Sequence, residues 1–332
     1  MKIAIIGGGW VGCHLAYKFR IKHNVTIFEK NDTLFQETSF KNQNRLHLGY
    51  HYARNFKTRT LCLNTFSDFL SDYEFLTKKV PNNIYCVPNS TSIIDFETYK
   101  KIFGGFEFNE IHHVFKNVEG CISTGERYIN FDLAQSFFNT HLKDIHVKRK
   151  ITQTKINSLK KDFDLVINAT NNHIKDKSNN SFYELTISLV YENMGNLDFG
   201  ALTMVDGNLF SIYPYHDNMF TLTDVDHTPI KKFNSIVKLE KYKSNINEGF
   251  VNQKRELIEK KVLKYYPNFK KNFKYNSYFI STKSKIISES DERYPVISND
   301  GNLINCFTGK IQGIYIIEDY INNEINNMLN GK

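Results

Sequence analysis

The chain of 332 residues lacks the features of several protein classes. No apolar run approaches the roughly 18 residues that a membrane-spanning helix needs. Its five cysteines are scattered and form no Cys-x-x-Cys pair, so we expect neither a disulfide framework nor a thiolate zinc site, and a reducing, cytoplasmic compartment fits best. Hydrophobic residues make up 41% and charged residues 23%, which excludes a disordered chain, and the length predicts two lobes.

Positive charge is unevenly distributed, and little of it is arginine. Of the 43 basic residues only 8 are arginine, and the formal net charge is +8. Residues 231–285 hold 15 lysines and arginines against 4 acidic residues, an excess of 11 positive charges that leaves −3 for the rest of the chain. This segment has no recognised nucleic-acid-binding motif, so we do not expect nucleic acid as a partner. An acidic substrate or partner is the simpler interpretation.

The N-terminus has the pattern of a strand, a glycine-rich turn and a helix. The apolar run over 3–6 ends in Gly7-x-Gly9-x-x-Gly12, where the helix of a signal peptide would instead continue. A helical stretch follows, and a second apolar strand then ends at the acidic Glu29. This order of elements is typical of a dinucleotide-binding βαβ unit.

Each position of this motif has a physical role. Gly7 permits a tight turn, Gly9 lets the backbone approach a pyrophosphate, and Gly12 allows the helix to pack closely on the sheet. The helix N-terminus offers N–H groups to the diphosphate. Glu29 accepts hydrogen bonds from ribose hydroxyls and would repel a 2′-phosphate, which argues against NADP. The sequence therefore predicts a dinucleotide site.

A second unusual stretch follows this unit. Three of the eight arginines lie within residues 45–59, and imidazole and aromatic side chains surround Gly49. A surface loop without a function rarely has this composition. The residues concerned are Arg45, His47, Tyr50, His51, Tyr52, Arg54 and Arg59.

The run Ser39…Asn42-Gln43-x-Arg45-x-His47-x-Gly49-x-x-Tyr52 resembles the segment that passes the flavin in the D-amino-acid-oxidase-like (DAO) family of FAD-dependent oxidoreductases. Its His-x-Gly…Tyr pattern is most similar to the L-2-hydroxyglutarate dehydrogenase type. Further segments that resemble the family follow in the same order, at 128–132, 164–170, 206–229 and 293–313. One position departs from the family pattern, because Asn171 stands where glycine is usual. Asparagine tolerates positive φ, so the turn is expected to survive.

The resemblance implies an α/β protein with a discontinuous Rossmann-type FAD-binding domain and a second, β-rich α+β substrate domain. The first domain would comprise residues 1–77, 121–176 and 287–332, and the second residues 78–120 and 177–286. From the apolar spacing alone we also predict a helix over 248–266, with Phe250, Leu257, Ile258, Val262 and Tyr265 on its buried side.

The glycine motif and the resemblance together assign two groups of site residues. Those expected to bind FAD are Gly7, Gly9, Trp10, Val11, Gly12, Glu29, Lys30, Ser39, Gln43, Asn44, Ala169, Thr170, Gly309, Lys310 and Ile311. Those expected at the catalytic centre are Arg45, His47, His51, Tyr52, Tyr213 and Arg293, with Tyr215 as a further candidate. The segment Gly309-Lys310 precedes a C-terminal helix whose positive end, with the lysine, would stabilise anionic reduced flavin.

The expected activity is transfer of hydride to flavin N5 from a C–H bond next to an amine or hydroxyl of a small anionic acid, by an oxidase or a dehydrogenase. The resemblance implies that arginine and tyrosine anchor the substrate carboxylate and that His47 takes the proton of a hydroxy acid. His227 and the thiol of Cys306 are expected to be structural. The electron acceptor, whether oxygen, quinone or another, stays open.

Two alternatives differ in class from this expectation. One is a flavin-dependent modifier of a sugar or nucleotide-sugar, whose phosphate would suit the basic segment. The other is a non-catalytic nucleotide-binding protein that docks on an anionic partner through residues 231–285.

Overall fold

The computed structural model describes residues 1–112, 115–176, 178–207, 209–287 and 292–331. In chain order its strands are β1 (Lys2–Ile6), β2 (Asn24–Glu29), β3 (Arg45–Leu46), β4 (Thr77–Lys79), β5 (Asn83–Pro88), β6 (Phe108–Ile111), β7 (Val118–Thr124), β8 (Arg127–Ile129), β9 (His146–Lys148), β10 (Leu165–Asn168), β11 (Ser181–Asn193), β12 (Ala201–Met204), β13 (Phe210–Pro214), β14 (Met219–Asp224), β15 (Pro229–Phe233), β16 (Phe273–Ile286), β17 (Val296–Asp300) and β18 (Leu303–Phe307).

The helices are distributed between the strands. They are α1 (Trp10–Phe19), α2 (Phe56–Asn64), α3 (Phe66–Tyr73), α4 (Phe96–Ile102), α5 (Phe131–Leu142), α6 (Gln153–Asp162), α7 (Ile236–Lys243), α8 (Glu248–Tyr265), α9 (Phe269–Asn272) and α10 (Ile314–Asn330), with short 3-10 helices at Glu74–Leu76 and Ile311–Gly313. None of the helices in the described ranges combines the length and the apolar composition that crossing a bilayer requires.

A six-stranded sheet contains the N-terminal βαβ unit. Its order is β9-β2-β1-β10-β18-β17, and the strands are parallel except for β17, which pairs with β18 in the antiparallel sense. Helices α1, α5 and α10 cover one face and α6 the other. Strands buried on both faces need continuous apolar sequence, which explains the run of β1. The predicted mixed α/β class and the first two strands are confirmed.

The second sheet has nine strands and carries a helical layer on one face. Its order is β15-β11-β14-β13-β12-β5-β7-β6, and β16 pairs with β11 along nearly its whole length. Helices α4, α8 and α9 pack on the apolar face. The predicted helix over 248–266 is confirmed as α8, but Leu257 is 48% exposed and Phe250 is only half-buried, although both were predicted on the buried side. Val251 lies on the buried side instead, since its spacing to Ile258, Val262 and Tyr265 keeps one helical face.

A small three-stranded antiparallel sheet, in the order β3-β8-β4, brings together distant segments of the chain. Arg45 of β3 pairs with Tyr128 of β8, and Leu46 pairs with Arg127. This register places the residues just after β3 opposite the residues just before β8. The candidate site described below depends on that pairing.

The sequence-based expectation about cysteines was wrong in one respect. Cys86 and Cys121 form a disulfide, with Cα atoms 4.2 Å apart, whereas Cys13, Cys62 and Cys306 are free and buried. The two bonded residues lie 35 positions apart and face each other directly across β5 and β7. Cysteine spacing alone carries no information on that strand register, which is why the pair could not be anticipated.

The division of the chain into two domains stays a proposal. Strands of the six-stranded sheet come from residues 2–29, 146–168 and 296–307, and those of the nine-stranded sheet come from 83–124 and 181–286. Strand β7 therefore straddles the proposed boundary at residue 121. The boundary at residue 287 adjoins residues 288–291, which lie outside the described part of the chain.

Candidate active site

The glycine motif forms a tight turn between β1 and α1. Gly7 has a φ of +108°, and its N–H donates to the carbonyl oxygen of Phe28 at 2.8 Å. A Cβ atom on Gly7 would lie 2.6 Å from the carbonyl oxygen of Ala169, and one on Gly12 would overlap the carbonyl oxygen of Gly7. Larger side chains cannot occupy these positions without a backbone shift. This geometry matches the roles expected for Gly7 and Gly12.

The carboxylate of Glu29 lies beside this turn. It accepts hydrogen bonds from the backbone N–H groups of Gly8 at 2.8 Å and of Asn31 at 3.0 Å, and the side chain is buried. Each carboxylate oxygen keeps capacity for a further hydrogen bond. Ser39 Oγ accepts a hydrogen bond from the backbone N–H of Trp10 at 2.9 Å. These contacts hold the acid and the first turn of α1 in a fixed relation.

Some residues expected to bind FAD have other visible roles. The Trp10 ring is buried in the aromatic core against Phe35 and Phe138, so only its backbone lies at the turn, and Val11 belongs to the first turn of α1. Lys30 forms an ion pair with Glu37 at 2.5 Å.

The segment from residue 38 to 44 crosses from the first sheet to the second. Gln43 Nε2 donates to Thr221 Oγ1 of β14 at 3.1 Å, and Thr38 Oγ1 donates to the carbonyl oxygen of Thr282 in β16 at 2.9 Å. Asn44 is buried and has a φ of +52°. The segment therefore lies between the two sheets, where a cofactor that spans both would contact it.

The turn after β10 adopts the conformation expected for an asparagine in place of glycine. Asn171 has a φ of +51°. The preceding Thr170 donates its hydroxyl to Asn168 Oδ1 at 2.8 Å and accepts a hydrogen bond from the N–H of Ile174 at 3.0 Å. The left-handed turn is thus retained despite the departure from the family pattern.

Arg45 is buried between the small sheet and the nine-stranded sheet. Nη1 donates to Tyr85 Oη at 3.0 Å and to Thr203 Oγ1 at 3.1 Å, and Nη2 donates to Ser211 Oγ at 2.5 Å. The guanidinium carbon lies 3.9 Å from the centre of the Tyr213 ring, while Nε has no hydrogen-bond partner. No carboxylate contacts the guanidinium directly in the described residues.

Glu126 is the carboxylate that interacts electrostatically with Arg45 in the described residues, and sequence analysis missed it. Its Oε1 accepts from the N–H of Leu48 at 2.9 Å, and its Oε2 accepts from Tyr85 Oη at 2.6 Å. Burial acts to raise the pKa of Glu126, but His47, Arg45 and the Tyr85 hydroxyl outweigh burial and lower the pKa to about 2. The group is therefore ionised at neutral pH although it is only 1% exposed.

His47 lies between Glu126 and Lys310. Nε2 is 2.9 Å from Lys310 Nζ, and Nδ1 is 3.5 Å from Glu126 Oε1 without the geometry of a hydrogen bond. Burial and the lysine charge lower the pKa of His47 to about 3. The imidazole is therefore neutral at pH 7, and when Lys310 is charged its ammonium donates to Nε2. Gln312 holds this strand end by donating to the carbonyl oxygens of His47 at 2.7 Å and Cys62 at 2.8 Å.

Lys310 is a partly buried ammonium whose contacts are neutral. Besides His47, it lies 4.7 Å from the centre of the Tyr52 ring, and no carboxylate in the described ranges forms an ion pair with it. Burial lowers its pKa to about 7, and the charges of Arg293, Arg45 and Lys283 act in the same direction. The surroundings of Lys310 are thus electropositive. An anion placed there would be stabilised.

The remaining predicted catalytic residues lie around the polar cluster, which comprises Arg45, His47, Glu126 and Lys310. The His51 ring centre lies 5.8 Å from that of His47 and 5.1 Å from that of Tyr52, and burial lowers the pKa of His51. Tyr213 donates its hydroxyl to the carbonyl oxygen of Arg127 at 3.0 Å. A Cβ on Gly309 would lie 3.0 Å from Cδ of Arg293, so these two residues pack together, and Ile311 begins the 3-10 helix that follows.

Three residues of the predicted site region have partners outside the group formed by Arg45, His47, Glu126 and Lys310. They are Tyr215, Arg54 and Arg59. Tyr215 packs between Phe131 and Phe279. Arg54 pairs with Asp206. Arg59 donates to the carbonyl oxygens of Tyr52 and Ala53, at 3.1 and 2.6 Å, and so supports the loop around Gly49. Arg54 and Arg59 therefore have partners in the fold, whereas Arg45 lies among the predicted catalytic residues.

The basic segment 231–285 is partly neutralised by acids outside it. Lys261 contacts Asp224 at 3.3 Å and Asp226 at 2.8 Å, and Lys285 pairs with Glu184 at 2.7 Å. His227 lies 3.1 Å from Asp224, in keeping with the structural role expected for it. These two lysines therefore neutralise acids of the nine-stranded sheet and its turns and support the fold.

Buried polar atoms without a hydrogen-bond partner concentrate at the cluster. Of nine such side-chain atoms in the described residues, five lie here: Arg45 Nε, His47 Nδ1, His51 Nδ1, Asn83 Oδ1 and Gln312 Oε1. Buried polar groups normally have partners, so this concentration fits a site that binds a polar ligand. The residues that carry these atoms, together with the glycine turn and Glu29, would suit a dinucleotide that lies across both sheets.

Comparisons with known proteins agree with this assignment. Residues 2–81 match the family model described as FAD dependent oxidoreductase (DAO). The FAD-dependent monooxygenase FPY4 of Fusarium mangiferae is 35% identical, over 96% of this chain and 89% of its own length. Glycine oxidase from Geobacillus kaustophilus has a similar fold, with a TM-score of 0.69 and 12% identity over 97% of this chain and 93% of that one. L-alpha-glycerophosphate oxidase from Mycoplasma pneumoniae, with FAD bound, has a TM-score of 0.68 and 16% identity over 100% and 95%.

Proposed function

Because the chain belongs to the DAO family of FAD-dependent oxidoreductases, we propose that it oxidises a small anionic acid by removing hydride from a C–H bond next to an amine or hydroxyl. FAD is the cofactor of this family, and when bound it supplies the hydride acceptor, flavin N5. Within the family we propose the 2-hydroxy-acid type, on the His47-x-Gly49…Tyr52 pattern.

We propose that the glycine turn and the segment between the sheets hold the cofactor. Gly9 and the first turn of α1 would take the diphosphate, and Glu29 would take the ribose hydroxyls. Ser39, Gln43 and Asn44 line the path from this turn toward the second sheet. Thr170 and Lys310, each at the end of a segment of the six-stranded sheet, would border the flavin end.

The observation that carries the proposal is the unbalanced positive charge at Lys310. Its ammonium contacts an imidazole and an aromatic ring but no carboxylate in the described residues, and Arg45 and Arg293 lie near enough to lower its pKa. In the described residues Glu126 is the acid that interacts closely with His47, and it accepts from the N–H of Leu48 and the Tyr85 hydroxyl rather than pairing with Lys310. A substrate carboxylate would supply the missing negative charge.

We propose that Lys310, in its neutral form, accepts the proton of a hydroxy-acid substrate, and that Nε2 of His47 accepts a hydrogen bond from the ammonium so formed. His47 is neutral at pH 7, and Lys310, with a pKa of about 7, exchanges a proton readily at that pH. A group whose pKa lies near the working pH is best suited to general acid–base chemistry. An amine substrate would need no base, because its neutral form loses hydride directly.

The test is an anaerobic substrate screen on the purified, FAD-loaded protein. We expect 2-hydroxy acids or amino acids to bleach the flavin absorbance, and we expect Lys310→Met to weaken binding of the effective acid at least about tenfold. A sugar or nucleotide-sugar that bleaches the flavin while every acid fails would replace the proposed substrate class. Purified protein without any flavin would contradict the assignment altogether.

A second candidate function is insertion of oxygen into the substrate. It is favoured by one observation, the 35% identity with a protein named as an FAD-dependent monooxygenase over nearly the whole chain. The two functions differ in their products. A product that gains an atom from labelled oxygen gas indicates a monooxygenase, whereas hydrogen peroxide together with an imine or keto product indicates an oxidase.

The cellular location proposed from the cysteine pattern is the cytoplasm. The disulfide between Cys86 and Cys121 is unusual for a reducing compartment, but its residues are 0% and 2% exposed and so are shielded from reductants. Fractionation of the cells that make the protein tests the location directly, and recovery in a secreted fraction would contradict it.

A further inference from the structure

Glu126 is a buried carboxylate that neither the glycine motif nor the family resemblance identified. It directly precedes β8, and the pairing of Leu46 with Arg127 places it opposite His47. Besides Leu48 and Tyr85, it receives a longer contact from Asn83 Nδ2 at 3.4 Å. A charge with 1% exposure is expensive to bury, so its position needs several compensating contacts.

The carboxylate does not pair directly with the buried cation beside it. The Tyr85 hydroxyl stands between them, accepting from Arg45 Nη1 at 3.0 Å and donating to Glu126 Oε2 at 2.6 Å. Oε2 is therefore used by the tyrosine, and Oε1 faces the other way, toward the N–H of Leu48 and Nδ1 of His47. Oε1 therefore lies beside a histidine, whose single proton in the neutral form can be on either of the two ring nitrogens.

The contact on the other side of His47 decides which nitrogen carries that proton. An ammonium has donors only, so Nε2 of His47 must be the acceptor when Lys310 is charged. In a neutral imidazole the proton then resides on Nδ1, which lies 3.5 Å from Oε1 of Glu126. The two contacts thus favour the same tautomer.

We propose that Glu126 is a positioning residue that holds His47 in the Nδ1–H tautomer and thereby presents Nε2 as the acceptor for the proton of Lys310. The proposal deepens the proposed function, on which it rests only for its catalytic consequence. In the described residues the groups that interact with His47 are Lys310 and Gln312 before α10, Arg45 of β3, His51 and Tyr52 of the following loop, and Glu126 before β8. Glu126 is the acid among these groups.

The decisive measurement is the nitrogen NMR spectrum of histidine in the FAD-loaded protein, with histidine labelled and the His47 signals assigned by their loss in His47→Gln. We expect the wild-type signals to show a protonated Nδ1 and an unprotonated Nε2. In Glu126→Gln the ratio of this tautomer to the other should fall at least about tenfold, because the N–H at Nδ1 loses the carboxylate charge 3.5 Å away. A wild-type His47 protonated on Nε2 would overturn the proposal without any variant.

A second readout follows the ionisation of Lys310. The pH dependence of the flavin spectrum should have a midpoint that moves down by about one unit in Glu126→Gln, because the ammonium loses its acceptor at Nε2. An unchanged midpoint together with an unchanged tautomer would contradict the proposal. Neither measurement requires turnover, so the proposal can fail while the substrate screen succeeds, and the reverse.

Glu184→Gln is the matched control. Glu184 is also a buried acid of the second sheet, 4% exposed and paired with Lys285, so the substitution removes the same charge at another place. It should leave the His47 tautomer and the midpoint unchanged, and an equal change in both variants would mean that loss of charge, not the contact with His47, is responsible. Tyr85→Phe removes a partner of Glu126 but keeps the carboxylate, so it should preserve the tautomer even where Glu126→Gln fails to fold.

Discussion

The two large sheets place their polar groups in opposite ways. The six-stranded sheet is apolar on both faces, with Ile3, Ala4 and Ile5 fully buried, and its polar groups lie at the strand ends around the glycine turn. The nine-stranded sheet has one apolar face under its helices, and its other face carries buried hydroxyls, including those of Thr203 and Ser211. One sheet therefore offers a ligand its edge, and the other offers its face.

This difference follows from the strand directions. In a parallel sheet both faces are covered by helices, which leaves the carboxyl ends of the strands for binding. In a mostly antiparallel sheet, alternate side chains can be polar and lie on one face. Along β11 this alternation is visible, since Ile187 and Leu189 point into the core while Thr186 and Ser188 occupy the other face.

The largest expected effect concerns the polar face of the second sheet. Arg45→Met should destabilise the protein by about 3–5 kcal/mol, because the ionised Glu126 then lacks its buried counter-charge. The control is Arg54→Met, since Arg54 is half-exposed and its ion pair with Asp206 should contribute only about 0–1 kcal/mol. Urea denaturation of both variants measures the difference, and equal losses would show that the polar face does not depend on Arg45.

The next effect concerns the strand ends of the first sheet. Gly12→Ala should weaken FAD binding by about 1–3 kcal/mol, because the added methyl group would overlap the carbonyl oxygen of Gly7 and force the turn to shift. Gly105→Ala is the control, since no atom lies within 4 Å of a Cβ added there. Titration of the flavin-free protein with FAD measures both, and full affinity in Gly12→Ala would refute the close packing of α1 on β1.

The same contrast explains how much could be predicted from the sequence. The glycine turn, Glu29 and the first two strands lie within one short stretch, so spacing was sufficient to identify them. The contacts at the second sheet join residues far apart: Arg45 and Thr203 are separated by 158 positions, and His47 and Lys310 by 263. His47 and Lys310 were each predicted, from the family resemblance, but their contact was not.

Glu126 was missed for a related physical reason. Its importance depends on the register between β3 and β8, two strands of 2 and 3 residues that give no periodic signal. Tyr85, Thr203 and Ser211 were also missed, although the recurrence of Ser and Thr at alternate positions of apolar strands is a signal that could have indicated a buried polar face. Leu257 and the Cys86–Cys121 bond depend in the same way on tertiary packing.

A third prediction concerns how the free energy of unfolding changes at acidic pH. The folded protein lowers the pKa of His47 to about 3 and that of Glu126 to about 2, so the unfolded chain binds more protons than the folded one as the pH falls below about 6.5. The contribution of His47 to stability should be fully present above pH 6.5 and lost as the pH falls toward 3, and that of Glu126 should be fully present above pH 4.5 and lost toward pH 2, each by about 1.4 kcal/mol per pH unit.

Urea denaturation between pH 7 and pH 4 measures mainly the contribution of His47, and His47→Gln should reduce the slope of stability against pH by about 1.4 kcal/mol per pH unit. Lys310 changes stability at higher pH and in the same direction, so that stability increases further as the pH rises. Since the pKa of Lys310 is lowered to about 7, stability should rise as the pH increases from 7 toward 10.5, and Lys310→Met should remove that rise. Identical slopes in the wild type and His47→Gln would contradict the assignment of the acid effect to this cluster.

The smallest expected effect tests the turn at which this chain departs from its family. Asn171 has a φ of +51°, a conformation that costs most residues about 1–2 kcal/mol but is easier for asparagine and natural for glycine. Asn171→Ala should therefore destabilise the protein by about 1 kcal/mol, whereas Asn171→Gly should change stability by less than about 0.5 kcal/mol. Thermal denaturation of the two variants at one pH provides the comparison.

The result also tests whether backbone conformation controls the turns at the strand ends of the six-stranded sheet. The carbonyl oxygen of Asn171 accepts a hydrogen bond from Ser284 Oγ of β16 at 2.5 Å, so this turn joins the end of the first sheet to the second. If both variants keep the wild-type stability, the positive φ is not what holds the turn, and that hydrogen bond becomes the better explanation. If only Asn171→Ala is destabilised, backbone conformation at the strand end is the controlling feature, as it is at Gly7.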